Sequence, residues 1–227
     1  MQAIKDERGI WNITNLEHWT VTYKKMLSNL KGSKQFKFAR YGDGEIYCMN
    51  GKNGQNCDNH KYFQDMGAAL RQTIIQEPEY MVGIQPLSVS HIPEHVQNYF
   101  GHFTTLYNAD VLHNASIDGQ IEKFTTAITG RYVILVGPAH LAPVVQECVH
   151  IVIPDVDCWL QYENVRQQIE FHIEGINNAV VLLCASMMSE VIISYFEDHP
   201  HTFIDCGSVL DPYAGVNSRK YHYKLKI

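Results

Sequence analysis

Two uninterrupted apolar runs limit what this chain can fold into more than any other feature. Tyr132-Val133-Ile134-Leu135-Val136 and Ala179-Val180-Val181-Leu182-Leu183-Cys184 have strand length and no polar alternation. A strand that is apolar on both faces must be covered on both faces, which is the habit of parallel sheets. A further apolar run lies at 149–153, and helical patterns stand between and after these runs. Residues 162–175 carry Val165, Ile169, Phe171 and Ile173 on or near one side, and residues 186–196 carry Met187, Val191, Ile192 and Tyr195. Strand and helix in alternation predict an α/β fold, a Rossmann-like doubly wound, mostly parallel sheet with helices on both faces.

The rest of the chain fits that plan. Leu16, Trp19, Val21, Tyr23, Met26, Leu27 and Leu30 recur at helical spacing, with Asn15 placed to cap and Gly32 to stop. Trp11 and Trp19 read as packing anchors. The first strand is expected at 36–39. An Asn- and Gly-rich loop at 50–56 follows, suited to a mobile lid or to a plain surface connection. Helices are expected at 62–76, 93–100, 120–128 with Asp118 as cap, and 141–148. Strands are expected at 80–84, weakly within 106–113, and at 202–205. The tail from Cys206 reads as irregular. The whole of 1–227 is expected to be a single domain, with 1–34 a helical extension packed on it.

Composition removes several classes. Hydrophobic residues make up 45% and charged residues 19%, enough for a core and too little charge for disorder. The net charge of −6 argues against a broad basic footprint, so nucleic acid is not an expected partner. No apolar run reaches the roughly 18 residues of a membrane span. The N-terminus lacks the apolar segment of a signal peptide. Six scattered cysteines without a CxxC pair read as free thiols in a reducing compartment, and the expected location is cytoplasmic. The N-x-[ST] matches at Asn12 and Asn114 are then chance. No HExxH, GxGxxG, Walker or G-x-S-x-G sequence occurs.

In open parallel sheets the ligand sits beyond the carboxyl ends of the strands. The segments there are 41–45, 137–140, 184–189 and 205–208. Asp43 and Glu45, spaced i, i+2 on a turn, suit one Mg²⁺ or Mn²⁺ with coordination left for water and phosphate. Arg40, one residue before Tyr41, can reach the same diphosphate. Gly42 and Gly44 permit positive φ and a close backbone approach. Taken alone, a D-x-E pair is frequent, and the commoner meaning of such a stretch is a Gly-Asp-Gly turn with solvated charges. Gly137-Pro138-Ala139-His140 ends a strand and opens a helix, where backbone N–H groups favour an anion. Ser186 and Ser189 stand at another strand-to-helix junction, as caps or as ligands. Asp205 is placed to bind a sugar hydroxyl, and Asp205 or Asp211 to act as general base. Gly207 and Ser208 line the same loop, and Arg219 can close over phosphate.

Phe38-Ala39-Arg40-Tyr41-Gly42-Asp43-Gly44-Glu45 resembles the R-[FY]-G-D-G-E signature of GT-D-type glycosyltransferases. Val136-Gly137, the strand and Ser-bearing helix over 180–193, and Asp205-Cys206-Gly207 follow in the family's order, so the resemblance spans roughly residues 36–210. It implies a Rossmann-like fold, a metal (usually Mn²⁺) held by Asp43 and Glu45, and a UDP-sugar donor. The acceptor would be a glycan, glycoprotein or other hydroxyl compound, and a homo-oligomer is possible. Ala185-Ser186 stands where the family often has glycine, and Gly207 to Tyr213 departs from the expected Gly-His ending. Two other readings stay open: a non-catalytic nucleotide- or glycan-binding module of the same fold, and sugar transfer to a modified nucleic-acid base.

Overall fold

The computed structural model describes residues 3–5, 11–13 and 16–225, the first two segments as backbone only. Those segments, β1 (Ala3–Lys5) and β2 (Trp11–Ile13), pair antiparallel as a short ribbon. The Trp11 side chain and Asn15 lie outside the described residues. Helix α1 (Trp19–Lys31) is capped by His18, whose Nδ1 accepts the Thr20 N–H, and it ends at Gly32.

Seven strands form one parallel sheet. In chain order they are β3 (Lys37–Tyr41), β4 (Met81–Ile84), β5 (Tyr107–Asn108), β6 (Val133–Pro138), β7 (Cys148–Ile153), β8 (Val180–Leu183) and β9 (Thr202–Asp205). In space the order is β5-β4-β3-β9-β8-β6-β7, and every pairing is parallel. From β3 the chain steps outward to β4 and β5. It then crosses to β6 and β7 and returns through β8 to β9, beside β3. Such a reversal opens a crevice at the carboxyl ends of the central strands.

Both faces are covered. Helices α2 (Asp43–Met49), α3 (Gln64–Gln72), α4 (Pro86–His91), α5 (Pro93–Phe100), α8 (Tyr162–Ile173) and α9 (Met188–Tyr195) contribute to one apolar layer. Helices α1, α6 (Val111–Ile117) and α7 (Ile121–Ile128) contribute to the other. Strand residues divide between the layers with the two-residue period of a pleated sheet: in β8, Val181 and Leu183 face the first and Val180 and Leu182 the second. Each such fully buried aliphatic side chain stabilises the fold by roughly 1.5–3 kcal/mol. The expected doubly wound α/β fold is the one observed.

The differences from the sequence reading have local causes. Strand β3 runs two residues further than expected and draws Arg40 and Tyr41 into the sheet. Helix α2 follows after Gly42, so Asp43 and Glu45 stand in a helical first turn and not on a free turn. Pro86, two residues past the strand expected at 80–84, is the first residue of α4, where its missing N–H has no helical partner to lose. Helix α6, only seven residues long, gave too short a pattern to register. The helix expected at 141–148 is a single 3₁₀ turn over Ala139–Leu141. Pro143, with no N–H to bond back to residue 139, forbids its extension. Cap residue Asp118 gives way to Gln120. Phe171 is 73% exposed, since six residues beyond Val165 a helix has turned about 240° away.

Candidate active site

The carboxyl ends of β3, β6, β8 and β9 surround a cleft of about 590 Å³. Its floor is built on Arg40. The Arg40 Nε–H donates to the Ala109 carbonyl at 2.6 Å. Its Nη1 lies 3.8 Å from Asp205 Oδ1, and its Nη2 lies 4.0 Å from Asp110 and 3.4 Å from His113 Nδ1. Burial works against the guanidinium charge, but Asp205 and Asp110 outweigh it and hold the arginine protonated. The same burial, with Arg40 beside it, pushes His113 down to about 4, so that imidazole is neutral. Gly207 bends over the guanidinium at φ +52, and a Cβ there would overlap Arg40 Nη1. This glycine is required by both its backbone angle and its neighbour. Arg40 is therefore a buried counter-charge beneath the cleft.

Asp205, at the end of β9, accepts the Gly207 N–H at 2.8 Å. Its other close partner is Glu190, in the first turn of α9, which sequence reasoning passed over. Glu190 is 1% exposed, and its Oε2 has no hydrogen-bond partner. Burial, then Asp205, then Glu45 raise the Glu190 carboxyl well above the ordinary range. Burial also raises Asp205, against the opposing pull of Arg40. These causes favour a neutral Glu190 beside an ionised Asp205. The signal in the sequence was a lone acid inside the apolar stretch that opens α9.

Glu45 Oε2 accepts the N–H of Gly42 at 2.7 Å, closing the first turn of α2 on itself. Burial raises its carboxyl to about 7, against the lowering effect of these backbone bonds. Asp43, two residues earlier, is exposed at the cleft and makes no hydrogen bond or ion pair among the described residues. Neither Gly42 nor Gly44 has positive φ. A Cβ at Gly42 would come 3.0 Å from Gln85 Oε1 and 3.2 Å from Glu45 Oε2, so those side chains would have to give way by a few tenths of an ångström.

The far wall is a pair of tight turns. His140, in the 3₁₀ turn after β6, places Nε2 3.1 Å from Asp211 Oδ1. Ser218 Oγ–H donates to Asp211 Oδ2. No α-helix begins at Gly137 to His140, so the expected helical anion site is absent, and Pro138 has no N–H to offer. Gly137 lies in β6, where a Cβ would come 2.8 Å from Leu141 Cδ1 and 3.1 Å from Cys184 Cβ, so its part is packing. Ser186 is not the cap of α9. It sits at φ +48, and its Oγ accepts from Asn56 Nδ2 at 3.0 Å. Ser189 is fully buried with its Oγ unpartnered, and the Tyr41 phenol bonds Thr73 Oγ1 at 2.6 Å inside the core. Ser189 does not line the cleft, and Tyr41 borders it with its phenol bonded in the core. Ser208 lines the cleft with a buried hydroxyl.

The mouth is crossed by a tie between distant segments. Both Nη atoms of Arg219, in the C-terminal tail, pair with the two oxygens of Asp58. Asp58 belongs to a turn held from within: Asn56 Oδ1 accepts the N–H groups of Asp58 (2.9 Å) and His60 (3.0 Å). The segment expected as a mobile loop or plain connection thus ends in an anchored turn that forms part of the wall. Arg219 reaches the cleft as expected, but with a carboxylate already in its grasp.

Solved structures share this architecture. One is a selenomethionine-substituted domain of unknown function 1792, with 14% identity and a TM-score of 0.65 over 88% of this chain and 87% of that one. A second is a glycosyltransferase of the same domain type from Streptococcus sanguinis, with 16% identity and a TM-score of 0.67 over 91% and 87%. A third is described as the highly conserved domain of unknown function 1792 with a distinct glycosyltransferase fold, with 14% identity and a TM-score of 0.64 over 91% and 92%. This chain has that fold. No family model matches it, and no curated protein does. In this fold the cleft occupies the crevice where the strand order reverses, and Asp43, Glu45, Asp205 and Asp211 come together there from three separate stretches of chain.

Proposed function

We propose that this chain is a glycosyltransferase that moves a sugar from a nucleotide-diphosphate donor, of the UDP-sugar type, to a hydroxyl acceptor with the aid of Mn²⁺ or Mg²⁺. The observation that carries the reading is the charge balance of the cleft. Seven carboxyl groups (Asp43, Glu45, Asp58, Asp155, Glu190, Asp205 and Asp211) line it, of which Glu190 is held neutral, against the two guanidinium groups of Arg40 and Arg219. Both guanidiniums are already paired with carboxylates. A diphosphate entering this acidic space needs a cation with it.

The donor set supports a hard divalent ion. No cluster of three His, Cys, Asp or Glu side chains among the described residues forms a ready-made cage. Mg²⁺-type sites instead combine one or two carboxylates with waters and substrate phosphates. Asp43 is free and exposed for that part, and Glu45 retains the oxygen not used by the Gly42 N–H. A bound ion would screen the diphosphate and stabilise it as a leaving group. Arg219 would exchange Asp58 for phosphate.

Asp43→Ala tests the reading. UDP release from a panel of UDP-hexoses with Mn²⁺ should fall by a factor of about 100 or more, the usual loss when transition-state charge goes unscreened. The melting temperature should stay within a degree or two of wild type, because the side chain supports nothing else. Undiminished turnover in the variant would remove Asp43 from the metal site.

A further inference from the structure

We infer that His140, oriented by Asp211, is the group that takes the acceptor proton. This rests on the transferase reading above. Asp205 and Asp211 were the candidate bases in the sequence, and the structure occupies both. Asp205 accepts the Gly207 N–H at 2.8 Å and lies 3.8 Å from Arg40 Nη1. Asp211 is 9% exposed, accepting from His140 Nε2 at 3.1 Å on one oxygen and from the Ser218 hydroxyl on the other. Asp205 is thus tied to the Gly207 backbone and Arg40, and both oxygens of Asp211 already have a donor.

His140 differs. An ionised carboxylate only accepts, so the 3.1 Å contact to Asp211 fixes the imidazole proton on Nε2. The lone pair is then on Nδ1. The nearest polar side-chain partner of Nδ1 is Asp155 Oδ1 at 3.8 Å, too far for a hydrogen bond. The imidazole lines the cleft with its side chain 28% exposed. A base whose remote nitrogen is tied to a buried aspartate has both its tautomer and its ring plane set, which is the logic of a positioned general base.

The placement also fits the donor. His140 follows β6 and Asp43 follows β3, and two strands stand between them in the sheet. At about 4.8 Å per strand this separates the two strand ends by roughly 14 Å. With a side chain reaching in from each end, the gap suits one sugar ring between diphosphate and base.

The step balances without further reagents. The acceptor oxygen forms a bond to the anomeric carbon as that carbon's bond to the diphosphate oxygen breaks. The electron pair leaves with the diphosphate, and the acceptor proton moves to His140 Nδ1. The resulting imidazolium is stabilised by Asp211 and returns its proton to solvent.

Two measurements on the full chain decide it. In protein labelled with ¹⁵N-histidine, the ring signals missing from His140→Gln should report a proton on Nε2 and none on Nδ1 at neutral pH. An Nδ1–H tautomer would overturn the assignment whatever the protein's activity. In the second, UDP release from the UDP-hexose panel should fall about 100-fold or more in His140→Gln, the range of general-base catalysis. UDP affinity with Mn²⁺ should change less than threefold. Unchanged turnover with intact UDP binding would overturn His140 alone. A wild-type chain that releases no UDP from any hexose of the panel would overturn the transferase reading and the base with it.

Discussion

Glu190 sets the protonation of the cleft floor. Its folded-state carboxyl is raised far above the unfolded value by burial and by Asp205. The native protein therefore holds a proton that the unfolded chain has released above about pH 5. Stability from this group is full at low pH and is lost as pH rises toward the folded pKa. Glu45, raised to about 7, adds a loss of the same sign between its unfolded value and neutrality. Glu190→Gln is nearly isosteric and cannot ionise. Its stability should fall less than that of wild type between pH 5 and pH 8. Urea unfolding at both pH values reads this out. An unchanged slope would mean Glu190 is ionised in the folded protein. Gly207→Ala should act in the opposite sense. Positive φ and overlap with Arg40 should cost about 1–3 kcal/mol and disorder the Asp205 loop. Thermal unfolding within 0.5 kcal/mol of wild type would contradict the packing described.

At the scale of elements, the turn carrying Asp58 is fastened through one side chain. Asn56 donates to Ser186 Oγ, 130 residues away, and accepts two backbone N–H groups of its own turn. Asn56→Ala should raise amide hydrogen exchange over residues 55–61 at least tenfold and weaken UDP binding, with a small effect on melting. Unaltered exchange would mean the turn is held elsewhere. Such ties explain what the sequence conceals. The long apolar strands β6 and β8 and the helices α5 and α8 were legible because periodicity is local. So was the position of Asp43, because open parallel sheets gather the loops after their strands at one edge. The pairings Arg219–Asp58 and His140–Asp211 were not, since they join residues 161 and 71 positions apart. Glu190 was hidden for a related reason: its burial depends on Asp205 arriving from β9. Helix α4 was lost to an ambiguous proline, which ends one element and begins another with the same lack of an N–H.

At the scale of the molecule, the parallel sheet brings four loops to one edge, and the reversal of strand order leaves a gap between them. The result is an acidic cleft with a free carboxylate at one end and a histidine at the other. Such a cleft should refuse a bare nucleotide diphosphate and accept one that carries a divalent ion. Isothermal titration of the wild-type chain with UDP, with and without Mn²⁺, tests this most directly. The account predicts saturable binding with Mn²⁺ that weakens at least tenfold when the metal is chelated, and the same weakening in Asp43→Ala. UDP binding of equal strength with and without metal, or no binding in either condition, would contradict it.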